Sequence, residues 1–227
     1  LKKYLLPVLI LLTSALYIFI IPSDPHAVKL LFKLIPMWLI ITYAYFQIPK
    51  LRQHHHRLLL IGLFFCMLGD GLLSWFVVGL SAFLVGHIFY MIGFFTKWRF
   101  SKLRFASVVP IAVYASIMGW EIVHALIRDN NESLIVPVLL YISVISLMTW
   151  SAIMTGHKWA ITGSILFTIS DSVLSWNLFV SNVAFSGVFI MTTYYSAQFC
   201  MAYSIRTLAM HKSRKTLLGE ELEMTVL

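Results

Sequence analysis

Apolar residues in this chain come in long runs without period-two alternation, separated by short polar or helix-breaking segments. Eight runs stand out: Tyr4–Ile21, Ala27–Phe46, Leu58–Val78, Ala82–Phe95, Ala106–Ile127, Leu134–Met154, Trp159–Phe179 and Phe185–Arg206. A membrane helix needs about 20 mainly apolar residues, whereas a membrane barrel strand needs about 9–11 with alternating faces. The pattern therefore predicts an all-α polytopic membrane protein with eight transmembrane helices. Lys97 and Arg99 shorten the fourth run, and Trp98 and Phe100 extend it by snorkelling. Pro22–Pro25, Gln47–Pro49 and Arg128–Glu132 supply the turn residues between runs. No linker is long enough to separate two domains, so residues 1–206 read as one transmembrane domain. Residues 207–227 read as a polar cytoplasmic tail, frayed or forming a short surface helix, with a basic cluster at His211–Lys215 and an acidic one at Glu220–Glu223.

Composition agrees with the pattern and removes alternatives. Of the 227 residues 60% are hydrophobic and 11% charged, against roughly 45–50% apolar and about 25% charged in soluble domains. Cys66 and Cys200 both lie within apolar runs, which argues for neither a disulfide framework nor a metal site. A net charge of +8 would suit a nucleic-acid binder, but its distribution indicates topology instead. With the amino terminus cytoplasmic, fourteen of the seventeen Lys and Arg residues fall inside, leaving Lys29, Lys33 and Arg128 on the other half. The positive-inside rule then places both termini in the cytoplasm and gives no reason to invoke nucleic acid. The first run has no small-residue cleavage site before Pro22 and reads as a retained helix. His54, His55 and His56, beside Arg52 and Arg57, read as a solvated basic loop rather than a metal-binding patch.

Self-comparison exposes a repeat. Gly62, seven residues, Asp70, two residues, then Leu73-Ser74-Trp75 aligns without gaps on Gly163, seven residues, Asp171, two residues, then Leu174-Ser175-Trp176. The offset of 101 residues spans four predicted helices, so both aspartates travel the same way through the membrane. This predicts a parallel repeat of two four-helix halves, about 1–105 and 106–206. At a rise of about 1.5 Å per residue, each aspartate lies roughly 12 Å from the outer end of its predicted helix. Lys33, His87, Tyr90, Glu121, His124 and Thr192–Tyr195 fall within roughly 7–15 Å of the outer ends on the same scale. Together they predict a polar cavity in the non-cytoplasmic half of the membrane.

An ionisable residue inside a span costs about 2.5–3.5 kcal/mol on insertion scales, so a repeated pair points to function before structure. Two carboxyl groups can divide labour, one protonated as an acid and one ionised to stabilise positive charge or activate water. The same pair suits proton carriage in a membrane transporter, and spacing alone does not choose. An intramembrane metal hydrolase is the weaker alternative, because only His87 and His124 lie within predicted spans and catalytic zinc usually takes three protein ligands.

Gly69-Asp70 with the following Leu-Ser-Trp, His87-Ile-Phe-Tyr90, Ser170-Asp171 with Asn177, and Ile190–Gln198 containing Tyr194 and Tyr195 resemble, in order and spacing, the lysoplasmalogenase (YhhN-like) transmembrane family. The resemblance runs from Lys33-Leu-Ile-Pro36 to Gln198. It implies hydrolysis of the vinyl ether bond of a lysoplasmalogen to a fatty aldehyde and glycerophosphoethanolamine or glycerophosphocholine, with lysophospholipid and water as partners and no cofactor or metal. Carried over by position, Asp70 and Asp171 are the catalytic pair. His87, Tyr90, Asn177, Tyr194, Tyr195 and Gln198 orient water and glycerol oxygens, and Lys33 meets the phosphate. The family occurs in bacterial membranes and in the endoplasmic reticulum of animals, and a bacterial inner membrane is the expectation here. The first span, the tail, Glu121 and His124 match nothing in the family pattern.

Overall fold

The computed structural model describes the backbone of residues 2–22, 24–49 and 53–226, and the side chains of 4–22, 24–49 and 53–208. The tail clusters at His211–Lys215 and Glu220–Glu223, and the inward charges Lys2, Lys3, Lys50, Arg52, Lys212, Arg214 and Lys215, lie outside the described side chains. The described chain is helical throughout: α1 (Lys2–Phe19), α2 (His26–Phe46), α3 (His54–Leu72), α4 (Phe76–Phe95), the short α5 (Lys102–Ala106), α6 (Val108–Arg128), α7 (Ile135–Thr155), α8 (Lys158–Phe179) and α9 (Ser186–Val226). A 3-10 turn, Glu132–Leu134, precedes α7. The backbone of α9 continues into the tail.

Five stretches among the described residues are long and apolar enough to cross a membrane: α2, α3, α4, Lys102–Arg128 and Glu132–Thr155. Large apolar side chains such as Leu11, Leu31, Val109 and Val136 point outward and exposed, as a lipid-facing surface requires. Buried residues from α2, α3, α4, α7, α8 and α9 form the main core. Met118, Ile122, Leu126, Val138 and Ile142 form a smaller one between α6 and α7.

The most extensive helix contacts are α3 with α4 and α8 with α9; α4 also packs on α7, and α2 on α9. Glycines set the first two contacts. A Cβ on Gly62 would stand 2.5 Å from ring carbons of Tyr90, and one on Gly163 would stand 3.1 Å from the Ala197 carbonyl oxygen and the Cys200 Cβ. Gly62 and Gly163 thus do the same work, letting the next helix approach at backbone distance.

One boundary differs from expectation. The turn between α3 and α4 falls at Leu73–Trp75, not at Gly79–Ser81, and α4 begins at Phe76. Gly79 falls between the two apolar runs but sits inside α4, where a Cβ would stand 2.7 Å from the Leu73 Cα, so its bareness serves a close approach. The same Leu-Ser-Trp motif is a turn after Asp70 and helix interior after Asp171. Asp70 therefore lies two residues from the end of α3, whereas Asp171 lies eight from the end of α8. Equal distances to the helix ends, expected from the runs, do not hold.

The histidine triplet also differs. His54 opens α3 and is exposed, but His55 and His56 are buried in its first turn, with ring centroids 3.9 Å apart. His56 Nδ1 accepts the Gln53 backbone N–H at 3.0 Å, so the residue caps the helix rather than lying in a solvated loop.

Candidate active site

Three helices meet at Asp70, which is 4% exposed. Its Oδ1 lies 3.0 Å from Lys33 Nζ of α2, and its Oδ2 accepts a 2.5 Å hydrogen bond from the Tyr194 hydroxyl of α9. Pro36 removes one N–H from the α2 ladder next to this point. The Tyr195 hydroxyl donates to the Lys33 carbonyl at 2.8 Å and so fixes the root of the lysine side chain.

Asp171, half-buried in the middle of α8, accepts a hydrogen bond from the Tyr141 hydroxyl of α7. The two carboxyl groups are thus held differently, one by an ammonium and a phenol, the other by a phenol. Edge-to-face ring contacts link them. Tyr194 meets Phe167 at 5.4 Å between centroids, Phe167 meets His87 at 4.5 Å, and His87 meets Tyr141 at 5.4 Å.

His87 Nδ1 lies 2.7 Å from the Phe83 carbonyl oxygen. A carbonyl only accepts, so the proton belongs on Nδ1 and Nε2 carries the lone pair. That buried Nε2 has no hydrogen-bond partner among the described residues. Nearby, Gln198 Oε1 accepts the Tyr90 hydroxyl at 2.7 Å, and the Gln198 amide also neighbours the Cys66 thiol and the Tyr194 hydroxyl. A cleft of ≈ 410 Å³ opens onto Asp70, lined by Tyr17, His26, Lys29, Lys33 and Ser74 among others.

Of the residues singled out in sequence, Lys33, His87, Tyr90, Tyr194, Tyr195 and Gln198 gather with the aspartates. Asn177 does not join them: its Oδ1 accepts the Val183 N–H at 3.0 Å and ties the end of α8 to the following loop. Glu121 and His124 are exposed on the outer face of α6, His124 against the Trp120 ring at 4.2 Å, because Met118, Ile122 and Ala125 take the inward face. Thr192 is likewise exposed, and the Thr193 hydroxyl is spent on the carbonyls of Phe189 and Ile190. The polar cavity therefore excludes these four. Sequence reasoning missed Tyr141, Phe167, Tyr17 and His26. The one available signal was that Tyr141 is the sole tyrosine in its apolar run. Among the described residues no group of three or more His, Cys, Asp and Glu is placed to hold a metal ion.

The fold and site define a class: an all-helical integral membrane protein whose buried ionisable side chains converge on two carboxyl groups. The YhhN family model matches residues 28–205, and the chain belongs to that family. The matched stretch holds both aspartates, α2 from its third residue and every helix from α3 to α8. Among relatives, the protein named lysoplasmalogenase TMEM86B of Mus musculus is 29% identical over 209 residues, covering 89% of this chain and 86% of the relative. Its namesake in Rattus norvegicus is 27% identical over 208 residues, covering 89% and 84%. Lysoplasmalogenase TMEM86A of Homo sapiens is 29% identical over 209 residues, covering 80% of each. No solved structure matches the chain.

Proposed function

We propose that the protein is an intramembrane lysoplasmalogenase that adds water across the vinyl ether of a lysoplasmalogen by carboxyl acid–base catalysis. The observation that carries this reading is the unequal setting of the two aspartates inside a family whose named relatives are lysoplasmalogenases. Asp171, held by a phenol, is the acid. It delivers its proton to the outer vinyl carbon, leaving an oxocarbenium ion at the carbon bonded to the ether oxygen. Asp70, the carboxylate of an ion pair, stabilises that cation. Water adds to the cationic carbon and gives its proton to the Asp171 carboxylate, which restores the acid. His87 Nε2, held as an acceptor by the Phe83 bond, and the Gln198 amide are suited to orient that water. The hemiacetal then collapses to the fatty aldehyde as its C–O bond to glycerol breaks, and the proton lost from the hemiacetal hydroxyl leaves on the glycerol oxygen. Tyr90, Tyr194 and Tyr195 hold the glutamine, the Asp70 carboxylate and the lysine, respectively, in place, and the alkenyl chain lies along apolar helix faces.

The same reading takes all eight long helices as spans, both termini as cytoplasmic, and the halves 1–105 and 106–206 as a parallel repeat. Supporting the repeat, α3 with α4 mirrors α8 with α9, α4 on α7 mirrors α9 on α2, and Gly62 and Gly163 occupy matching contacts. The test is aldehyde release by purified protein in detergent from lysoplasmalogen and from the matching ester lysolipid. Release from the vinyl ether alone is expected. Cleavage of the ester instead would make it a lysophospholipase, and substrate uptake by vesicles without hydrolysis would make it a transporter.

A further inference from the structure

The cleft beside Asp70 is arranged in a way that vinyl ether hydrolysis alone does not require. Lys33 Nζ sits 3.0 Å from Asp70 Oδ1, and the same lysine lines the cleft with His26, Lys29 and Tyr17. Asp70 is the one acidic residue in that lining, so the cleft surrounds a single carboxylate with basic side chains. An ammonium in contact with a carboxylate cancels much of its field at a third site and repels any cation forming there. The resting pair is therefore a poor stabiliser of an oxocarbenium ion. Tyr195 anchors the Lys33 carbonyl, yet the ammonium stands at the end of a flexible four-carbon stem and can be drawn to another anion.

We propose that the phosphodiester of the substrate releases Asp70. It enters the cleft, takes over the Lys33 ammonium with His26 and Lys29 at its rim, and leaves Asp70 Oδ1 facing the reacting vinyl ether. This rests on the lysoplasmalogen reading above. The exchange trades one ion pair for another and breaks no covalent bond. The head group is then a trigger as well as an anchor, its binding interaction used to prepare the site for the transition state. Specificity for a phosphate-bearing lipid follows from catalysis rather than from binding alone.

The experiment compares lysoplasmalogen with the 1-alkenylglycerol of the same chain, which keeps the vinyl ether and lacks the phosphate, on the full chain in detergent. Dimethyl phosphate is added in trans, with sodium chloride at matched ionic strength as control. Expected is a kcat for the alkenylglycerol about tenfold or more below that for lysoplasmalogen, rising several-fold with dimethyl phosphate and not with sodium chloride. Lys33→Met loses that rise and Lys33→Arg keeps part of it, while the wild-type arms stand without either variant. An alkenylglycerol turned over as fast as lysoplasmalogen, a deficit confined to KM, or a slow kcat indifferent to dimethyl phosphate overturns the proposal. Failure of the wild-type protein to cleave lysoplasmalogen at all overturns the underlying function, and the proposal with it.

Discussion

The two glycines flanking Asp70 make a sharp test of how packing holds the site. A Cβ on Gly69 would stand 2.6, 2.7 and 2.8 Å from three ring carbons of Phe83, whereas one on Gly71 would meet only Leu34 Cδ1 at 4.0 Å. The buried Phe83 ring would have to retreat by about 0.8 Å to reach the 3.4 Å at which ordinary contact begins. Its way is barred, because Phe83 lies edge-on to Tyr194 at 6.2 Å and to Phe167 at 6.4 Å. Overpacking of this kind costs about 1–3 kcal/mol. For a chain of this size that lowers the melting temperature by about 2–12 °C. The displaced ring would also press on Tyr194 and lengthen its hydrogen bond to Asp70, so turnover should fall beyond the loss of folded protein. Thermal unfolding and aldehyde release in detergent, for Gly69→Ala beside Gly71→Ala, measure both effects. Equal melting temperatures and equal turnover for the two variants would refute the claim that α4 packing positions the Asp70 carboxylate.

Three further outcomes follow from individual contacts. Tyr194→Phe keeps the ring contacts but removes a hydrogen bond to a charged group, worth about 1.5–3 kcal/mol; turnover should fall about 10- to 150-fold with the protein still folded, as initial rates and a melting curve will show. Asn177→Ala removes a loop tie and should lower stability by about 1 kcal/mol while leaving KM for lysoplasmalogen unchanged; a raised KM would return Asn177 to the substrate site. Glu121→Gln and His124→Ala lie on the exposed face of α6 and should leave aldehyde release within about twofold of wild type, since surface changes typically stay within ±0.5 kcal/mol.

Much of the fold was legible because lipid enforces long apolar runs: six of the eight expected spans lie within a few residues of the helices at both ends or, for α9, at its start. The α3–α4 boundary was not, since Gly79 looks the same in sequence whether it breaks a helix or admits a neighbouring backbone. The aspartates were legible because charge is scarce in spans. Lys33, Tyr194 and Gln198 were legible through the family's spacing. Their pairing was not, because a contact across 124 residues between α9 and α3 leaves no local signature. Glu121 and His124 misled for the converse reason, as distance along a helix gives depth but not the direction a side chain faces. Tyr141 escaped notice because one tyrosine in an apolar run resembles ordinary core or belt residues.

The paired aspartates are tested most directly by aldehyde release from lysoplasmalogen with purified Asp70→Asn and Asp171→Asn proteins whose melting curves show them folded. Asn keeps the shape of each side chain but provides neither a transferable acidic proton nor a negative charge. Each variant should lose nearly all turnover, by at least about 100-fold, as expected for general acid–base and electrostatic catalysis. Near-wild-type aldehyde release from either folded variant would contradict a mechanism built on the pair.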